Sequence, residues 1–148
     1  MADFQFNIAK GRTVHYASQV GTGNAAFIVV PLEAAGLEAD ATLKDHDTLA
    51  AVLAGSSTEQ TTLGRKTITS ATVTVDDTGD TADVDVADFT YTAATGNATG
   101  KLLFCYDADT AAGTDANVIP LTAHDWTVTP DGNDVVVQID PAGLFGAS

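Results

Sequence analysis

Residues 101–107 are the sequence feature that most constrains the fold, because this run is apolar on both sides of an extended chain. Successive side chains of a strand point to opposite faces of its sheet. Both faces would carry apolar groups here: Leu102, Phe104 and Tyr106 on one, Leu103 and Cys105 on the other. Such a pattern is typical of a central strand that is covered on both sides. Turn-forming residues flank the run, so the sequence predicts one buried strand between two turns.

Further short segments with strand-like alternation follow one another at intervals of roughly ten residues. The predicted strands cover residues 4–8, 13–20, 25–30, 68–75, 84–93, 101–107, 126–129 and 135–139. Another apolar piece at 117–121 is broken by Pro120, which cannot donate a ladder hydrogen bond. Asp131 followed by Gly132 predicts a hairpin turn between the last two strands.

One helix is predicted at residues 45–54, where apolar side chains fall at helical spacing. Asp45 or Asp47 could cap its first turn with a side-chain oxygen, and Gly55 is a plausible stop. The segment before it, residues 32–40, predicts a loop with a helical turn. The helix is short, so we expect packing on a sheet to stabilise it.

These elements predict a mainly β fold, a β-sandwich or barrel-like single domain of about eight short strands with one short helix. The length of 148 residues fits one domain. We divide it into an N-terminal strand or docking arm at residues 1–12 and a single β-rich domain at residues 13–148.

The charge of the chain excludes some classes of partner. The formal net charge is −14, and an acidic surface repels nucleic acid and anionic lipid. We therefore expect no nucleic-acid partner and no membrane partner. The acidic residues are concentrated from residue 71 onward, where Lys101 is the only base. Either the whole surface is simply solvated, or the nearly neutral first half docks on a partner while the acidic half faces water.

Cysteine content and the N-terminus bear on the compartment. Cys105 is the only cysteine, so no internal disulfide can form, and its apolar strand predicts a core residue. The first residues have no basic region followed by an apolar run, unlike a signal peptide. The longest apolar run, residues 25–32, is too short to span a bilayer. We expect a chain that is made in a cytoplasm and stays soluble.

No pattern in the sequence predicts catalysis. The chain contains no nucleophile elbow, no zinc-protease motif and no phosphate- or dinucleotide-binding glycine loop. Two histidines have acidic neighbours, at 45–47 and at 124–126. The first group is explained by helix capping and the second by a cluster at a strand edge. We expect a protein that is not an enzyme and needs no cofactor.

Calcium is the one metal for which the sequence offers candidate ligands. Closely spaced aspartates in turns can supply several of the oxygen ligands that calcium needs. The candidate ligands lie in two turns: Asp76, Asp77 and Asp80 in the first, Asp107 and Asp109 in the second. The EF-hand order is missing, and aspartate is a common turn residue in its own right. We expect solvated turns and no metal, with a bound cation as the alternative.

Several segments together resemble small acidic virion structural proteins of tailed bacteriophages. The resemblance runs from about residue 25 onward and includes the predicted helix at 45–54. Its main segments are residues 75–78, 89–93, 101–107, 119–122, 124–126 and 129–132. The resemblance implies a structural position in the particle and carries no catalytic residues over to this chain.

The resulting expectation is a capsid decoration protein, located in the virion, that stabilises the head by binding the major capsid protein. The predicted partner-binding residues are Phe4, Phe6, Lys10 and Arg12. The two phenylalanines could instead be core residues. A homo-oligomer is expected.

Two alternatives remain at this point. One is a tail or head–tail connector protein that forms a ring. The other is a carbohydrate-binding module for host attachment, which would need an exposed aromatic platform. Its candidate residues are Tyr16, Tyr91 and Trp126.

Overall fold

The computed structural model describes residues 2–140 and 142–147. Its strands are β1 (Phe4–Gln5), β2 (Ala26–Glu33), β3 (Lys66–Ile68), β4 (Thr72–Asp76), β5 (Thr81–Asp85), β6 (Phe89–Tyr91), β7 (Thr99–Asp107), β8 (Ile119–Asp125), β9 (Val135–Val137) and β10 (Phe145–Ala147). Its α-helices are α1 (Thr13–Gln19), α2 (Asp40–Leu43) and α3 (Leu49–Ala54), and a 3-10 helix spans Asn7–Ala9. All strand pairs are antiparallel, and the predicted mainly β fold is confirmed.

The largest sheet has five strands in the order β1-β8-β7-β2-β3. β7 lies in the middle, and all nine of its residues are buried. It pairs with β2 on one side and with β8 on the other. The prediction of a central strand at residues 101–107 is therefore confirmed, because both faces of β7 are covered as its two apolar faces require.

Two smaller sheets provide side chains that cover one face of the large sheet. They have the strand orders β10-β5-β4 and β6-β9. Phe27 of β2 contacts Phe145 of β10, with ring centroids 6.2 Å apart. Phe104 of β7 contacts Phe89 of β6, with centroids 6.4 Å apart. This layered arrangement of sheets corresponds to the sandwich that the turn and strand spacing predicts.

The segment predicted as a strand at residues 13–20 is instead helix α1. Thr13 and Ala17 are its buried residues, and they lie four positions apart on one helical face. Tyr16 stacks on Tyr106 of β7, with ring centroids 4.9 Å apart. Apolar residues in this short segment recur both two and four positions apart, so the pattern fits a strand as well as a helix. Packing selects the helix.

The predicted helix at residues 45–54 is shorter than expected. α3 begins at Leu49, because the Thr48 hydroxyl accepts a hydrogen bond from the Ala51 N–H at 3.1 Å. Asp45 and Asp47 therefore do not cap it. The helical turn expected within residues 32–40 is displaced toward its end, where α2 begins at Asp40. None of the described helices is both long enough and apolar enough to cross a membrane.

The predicted hairpin around Asp131 does not form. Residues 126–129 are not a strand, and β9 pairs with β6 instead. The turn itself is present, since the Asp131 carboxylate accepts a hydrogen bond from the Asn133 N–H at 3.0 Å. β8 continues through Pro120, where a register shift between Phe104 and Cys105 interrupts the β7–β8 ladder.

The N-terminal segment joins the large sheet. β1 pairs with β8, and the Phe6 N–H donates to the Leu121 carbonyl at 2.9 Å. The strand predicted at residues 4–8 is thus reduced to two residues and a following 3-10 turn. β1 forms one edge of the sheet and brings Asp3 to the end of β8.

Candidate functional site: an acidic aromatic cleft

A cleft of about 330 Å³ opens where β8 ends, beside the segment that follows β9. Its apolar wall is formed by Leu102, Phe104, Trp126, Val137, Ile139 and Leu144. Its polar lining consists of Asp3, His124, Asp125, Gln138 and Asp140, with Gly143 at the rim. A largely apolar concavity with a few converging polar groups is the common form of a ligand site.

The pairing register of β7 and β8 determines which side chains form the floor of the cleft. Leu102 lies directly opposite His124, so these side chains share a face with Phe104, two residues along β7. The His124 ring meets the Phe104 ring edge-on at 5.6 Å. Trp126 continues from β8, and its backbone N–H donates to the Gly100 carbonyl at 3.1 Å. The aromatic wall is therefore built on the central strands of the sheet.

Asp3 is held at the cleft by the end of β8. One of its carboxylate oxygens accepts a hydrogen bond from the Asp125 N–H at 2.6 Å, and the other lies 3.2 Å from His124 Nδ1. Burial opposes ionisation of Asp3, but these hydrogen bonds and the nearby His124 and Lys101 outweigh it. The pKa of Asp3 consequently lies below its ordinary value, so the fold favours the charged carboxylate.

His124 also lies between a carboxylate and a hydroxyl, the arrangement of a catalytic triad. Its Nε2 is 3.0 Å from the Thr122 hydroxyl. Thr122 is only 3% exposed, however, and it does not line the cleft. A substrate in the cleft could not reach that hydroxyl, so the arrangement fixes the orientation of the His124 ring.

A buried lysine lies behind the cleft. The Lys101 ammonium is 2.5 Å from the Asp125 carboxylate and 3.2 Å from that of Asp40. It also donates to the Ala2 carbonyl at 3.0 Å and lies 5.0 Å from the centroid of the Phe4 ring. The lysine thus ties the N-terminal segment to β8, and it partly balances the charge of Asp125.

The cleft nevertheless keeps an excess of negative charge. Asp3 and Asp140 line it, and neither lysine nor arginine is among the described residues that line it. Asp125 also lines it, but its carboxylate lies on the other face of the sheet, where it pairs with Lys101. Asp140 accepts a hydrogen bond from the Ala142 N–H at 2.8 Å through one oxygen. Within the described chain its other oxygen makes no hydrogen bond, so this oxygen is available to a ligand.

The predicted partner-binding residues do not form one surface. Phe6 is fully buried in the core and cannot contact a partner, which corrects that part of the prediction. Phe4 is half-buried, and its ring lies 5.4 Å from that of Phe6. Lys10 and Arg12 are exposed, and within residues 2–140 and 142–147 neither forms an ion pair. Of the four predicted partner-binding residues, Lys10 and Arg12 are the two that are exposed for docking.

The candidate calcium ligands do not come together in the part of the chain that is described. No three side chains among its His, Cys, Asp and Glu residues are grouped as a metal site requires. The aspartates shape their own turns instead: Asp76 accepts from the Thr78 N–H at 2.8 Å, and Asp107 accepts from the Asp109 N–H at 3.0 Å. Asp80 adopts a positive φ of 53° in the β4–β5 turn.

The remaining candidate residues are buried in the fold or paired within it. Cys105 is fully buried in β7, as predicted for a core residue, and burial raises the pKa of its thiol. His46 pairs with Glu38 at 2.7 Å. Tyr91 is buried against Trp126, so Tyr91 cannot belong to an exposed aromatic platform, contrary to the carbohydrate-binding alternative. Of the three platform candidates, Trp126 alone lines the cleft.

Comparisons of the chain with protein-family models, with curated proteins and with solved structures found no match. The description of the cleft therefore rests on its geometry alone. Sequence reasoning missed it because its lining comes from separate segments, around residues 3, 102–104, 124–126 and 137–144. The adjacent His124, Asp125 and Trp126 were the available signal, since a histidine, a carboxylate and the only tryptophan meet at one strand end.

Proposed function

We propose that the chain is a structural protein of a tailed bacteriophage particle, a capsid decoration protein that binds the major capsid protein. The sequence resemblance to small acidic virion proteins supports this function. Three of the segments that carry the resemblance, residues 89–93, 101–107 and 119–122, lie largely in β6, β7 and β8. The resemblance therefore includes the centre of the fold as well as its surface turns.

The observation that carries the proposal is the position of Lys10 and Arg12. Both side chains are exposed on a chain with a net charge of −14. Two other bases are committed within the fold: Arg65 pairs with Glu59 and Asp115, and Lys101 is buried beside Asp125. Phe6 and Thr13 are buried on either side, so the basic turn is held in place. A fixed basic turn on an acidic protein suits docking to an oppositely charged surface.

The structure also determines how docking has to be tested. A chain without residues 1–12 would lack Phe6 and β1, so loss of binding by that truncation would not separate docking from folding. The double substitution Lys10→Gln with Arg12→Gln removes two exposed charges and no described contact between side chains. A matched control is Ala87→Asp with Ala116→Asp, which lowers the net charge equally at two exposed positions.

The experiment mixes each full-length variant with capsids assembled without this protein and counts the copies that cosediment. We expect the unchanged chain and the control to bind many copies per capsid, and the double glutamine variant to bind far fewer. Equal binding by all three proteins would refute docking through the basic turn. Few copies, bound at one vertex or on tails, would favour the ring-forming connector instead of decoration.

A carbohydrate-binding module remains the second candidate function because of the cleft. Trp126 offers an aromatic surface there, and Gln138 and the carboxylates offer hydrogen-bonding partners to sugar hydroxyls. Binding of a glycan array by the full chain, reduced by Trp126→Ala, would support this second candidate. Absence of any bound glycan would leave structural docking as the proposed function.

A further inference from the structure

We infer that the cleft beside Trp126 binds the side chain of an arginine presented by a partner protein. The identification of the partner as another virion protein rests on the proposed function. The argument from the chemistry of the cleft is independent of that function. The inference combines an aromatic surface in a cleft, two lining carboxylates without a lining lysine or arginine, and contacts within the chain that hold this lining in place.

Charge selects a cation as the occupant. Asp3 and Asp140 contribute two carboxylates to the lining, and the described lining contains no lysine or arginine. The Asp125 carboxylate is paired with Lys101 on the other face of the sheet, whereas Asp140 is paired with no base within residues 2–140 and 142–147. A phosphate or carboxylate ligand would be repelled, whereas a guanidinium would gain a charge-assisted hydrogen bond to Asp140.

The apolar wall favours arginine among the possible cations. A planar guanidinium stacks on an indole face and pairs with carboxylates in the same plane, which a lysine ammonium cannot do. The aliphatic part of the arginine side chain could pack against Val137 and Leu144, which also line the cleft. A volume of about 330 Å³ accommodates one such side chain with its hydrating water.

The cleft is also preorganised. The Asp125 N–H and His124 hold Asp3, and the Trp126 ring packs against Tyr91, with centroids 5.6 Å apart. Few side chains have to lose freedom when a ligand enters, which favours binding. Asp125 and Trp126 are adjacent in sequence, and β1 and β8 fix their positions on the main sheet.

The test uses the intrinsic fluorescence of the full-length chain, because Trp126 is the only tryptophan. The probe is Nα-acetyl-arginine amide, and the matched neutral probe is the corresponding citrulline derivative, which has a similar shape but no charge. We expect a saturable change in fluorescence with the arginine probe. The citrulline probe should bind at least roughly tenfold more weakly, as expected for the loss of a charge-assisted pair.

Two conservative variants make the test specific. Asp140→Asn removes one charge from the cleft and retains the amide oxygen for the Ala142 N–H, so it should weaken arginine binding by roughly three- to tenfold. Asp134→Asn is the control, because Asp134 likewise accepts one backbone N–H, that of Ala93, at an exposed position outside the cleft. The control should bind arginine as the unchanged chain does.

Several outcomes would overturn the inference. Equal affinity for the arginine and citrulline probes would show that charge plays no part. Equal weakening by both asparagine variants would show a general effect of net charge. Saturable binding of a methyl glycoside without binding of arginine would assign the cleft to carbohydrate. Self-association of the chain that Asp140→Asn abolishes would make the occupant a second copy instead of another protein.

This titration is independent of capsids. A chain that binds the arginine probe and fails to join capsids would support arginine binding by the cleft and refute the proposed function. A chain that joins capsids and does not bind the arginine probe would support the proposed function and refute arginine binding by the cleft.

Discussion

Lys101 and Asp125 face each other across the β7–β8 ladder, and the buried Lys101 ammonium lies 2.5 Å from the Asp125 carboxylate. The same ammonium reaches the Ala2 carbonyl, so one lysine connects the centre of the main sheet with its N-terminal edge. Asp125 also lines the cleft. The stability of the N-terminal edge and the shape of the cleft are therefore linked through this ion pair.

Substitution of Lys101 by alanine should be strongly destabilising. It would leave the Asp125 and Asp40 carboxylates, which are 35% and 27% exposed, without their cation and would empty the buried space of the lysine side chain, so we expect a loss of about 2 kcal/mol or more of unfolding free energy. Urea denaturation measures this loss. Lys10→Ala is the control, because Lys10 is exposed and its removal should change stability by less than about 0.5 kcal/mol. Equal effects of the two substitutions would contradict the role given to Lys101.

The stabilising contribution of Asp3 should depend on pH in a defined direction. Its pKa in the folded chain lies below the ordinary value of 3.8, so its ionised form stabilises the fold. This contribution is fully present above the unfolded-state pKa and is lost as pH falls through the folded-state pKa. The difference in unfolding free energy between the unchanged chain and Asp3→Asn should therefore shrink as pH decreases below about 4.

Urea denaturation of both proteins between neutral and strongly acidic pH gives this difference directly. Comparing two chains at each pH removes most of the effect of the overall charge, which also changes with pH. A difference that stays constant over the whole range would show that the ionised carboxylate of Asp3 does not contribute.

Phe6 should behave as a core residue. It is 0% exposed, so Phe6→Ala should lower the unfolding free energy by about 3–5 kcal/mol through lost burial and a cavity. Phe4→Ala should cost less, because Phe4 is only half-buried at the sheet edge. Thermal or urea denaturation compares the two. A stable Phe6→Ala variant that has lost only its capsid binding would instead support the docking arm predicted from the sequence.

Calcium should not change the thermal stability of the chain. The carboxylates of Asp76, Asp107 and Asp109 already accept hydrogen bonds from backbone N–H groups of their own turns. Differential scanning calorimetry with added calcium and with a chelator should therefore give the same melting temperature. A higher melting temperature in calcium would return these aspartates to consideration as ligands, because a ligand of the folded state stabilises it.

Features encoded locally were predictable from the sequence. The central position of β7 follows from its two apolar faces, and the turn after Asp76 follows from aspartate and glycine chemistry. Residues 13–20 were not predictable because their short apolar pattern fits both a strand and the observed helix. Local sequence patterns also could not predict which distant strands pair with each other, and the pairing of β6 with β9 is an example.

The cleft shows the same division between local and tertiary information. His124, Asp125 and Trp126 stood out as a group in the sequence, but nothing nearby indicated that Asp3 would join them. Their meeting depends on β1 pairing with the end of β8. The burial of Phe6 depends on the same pairing, which is why the sequence alone left open whether it belonged to an arm or to the core.

The proposed function requires a tailed phage whose genome encodes this chain, and its most direct test is the amount of the chain in purified particles of that phage. Quantitative mass spectrometry would compare its copy number with that of the major capsid protein in the same particles. We predict many copies per particle, in a fixed ratio to the major capsid protein, and their loss when the heads are removed. Absence of the chain from purified particles would contradict a virion role altogether.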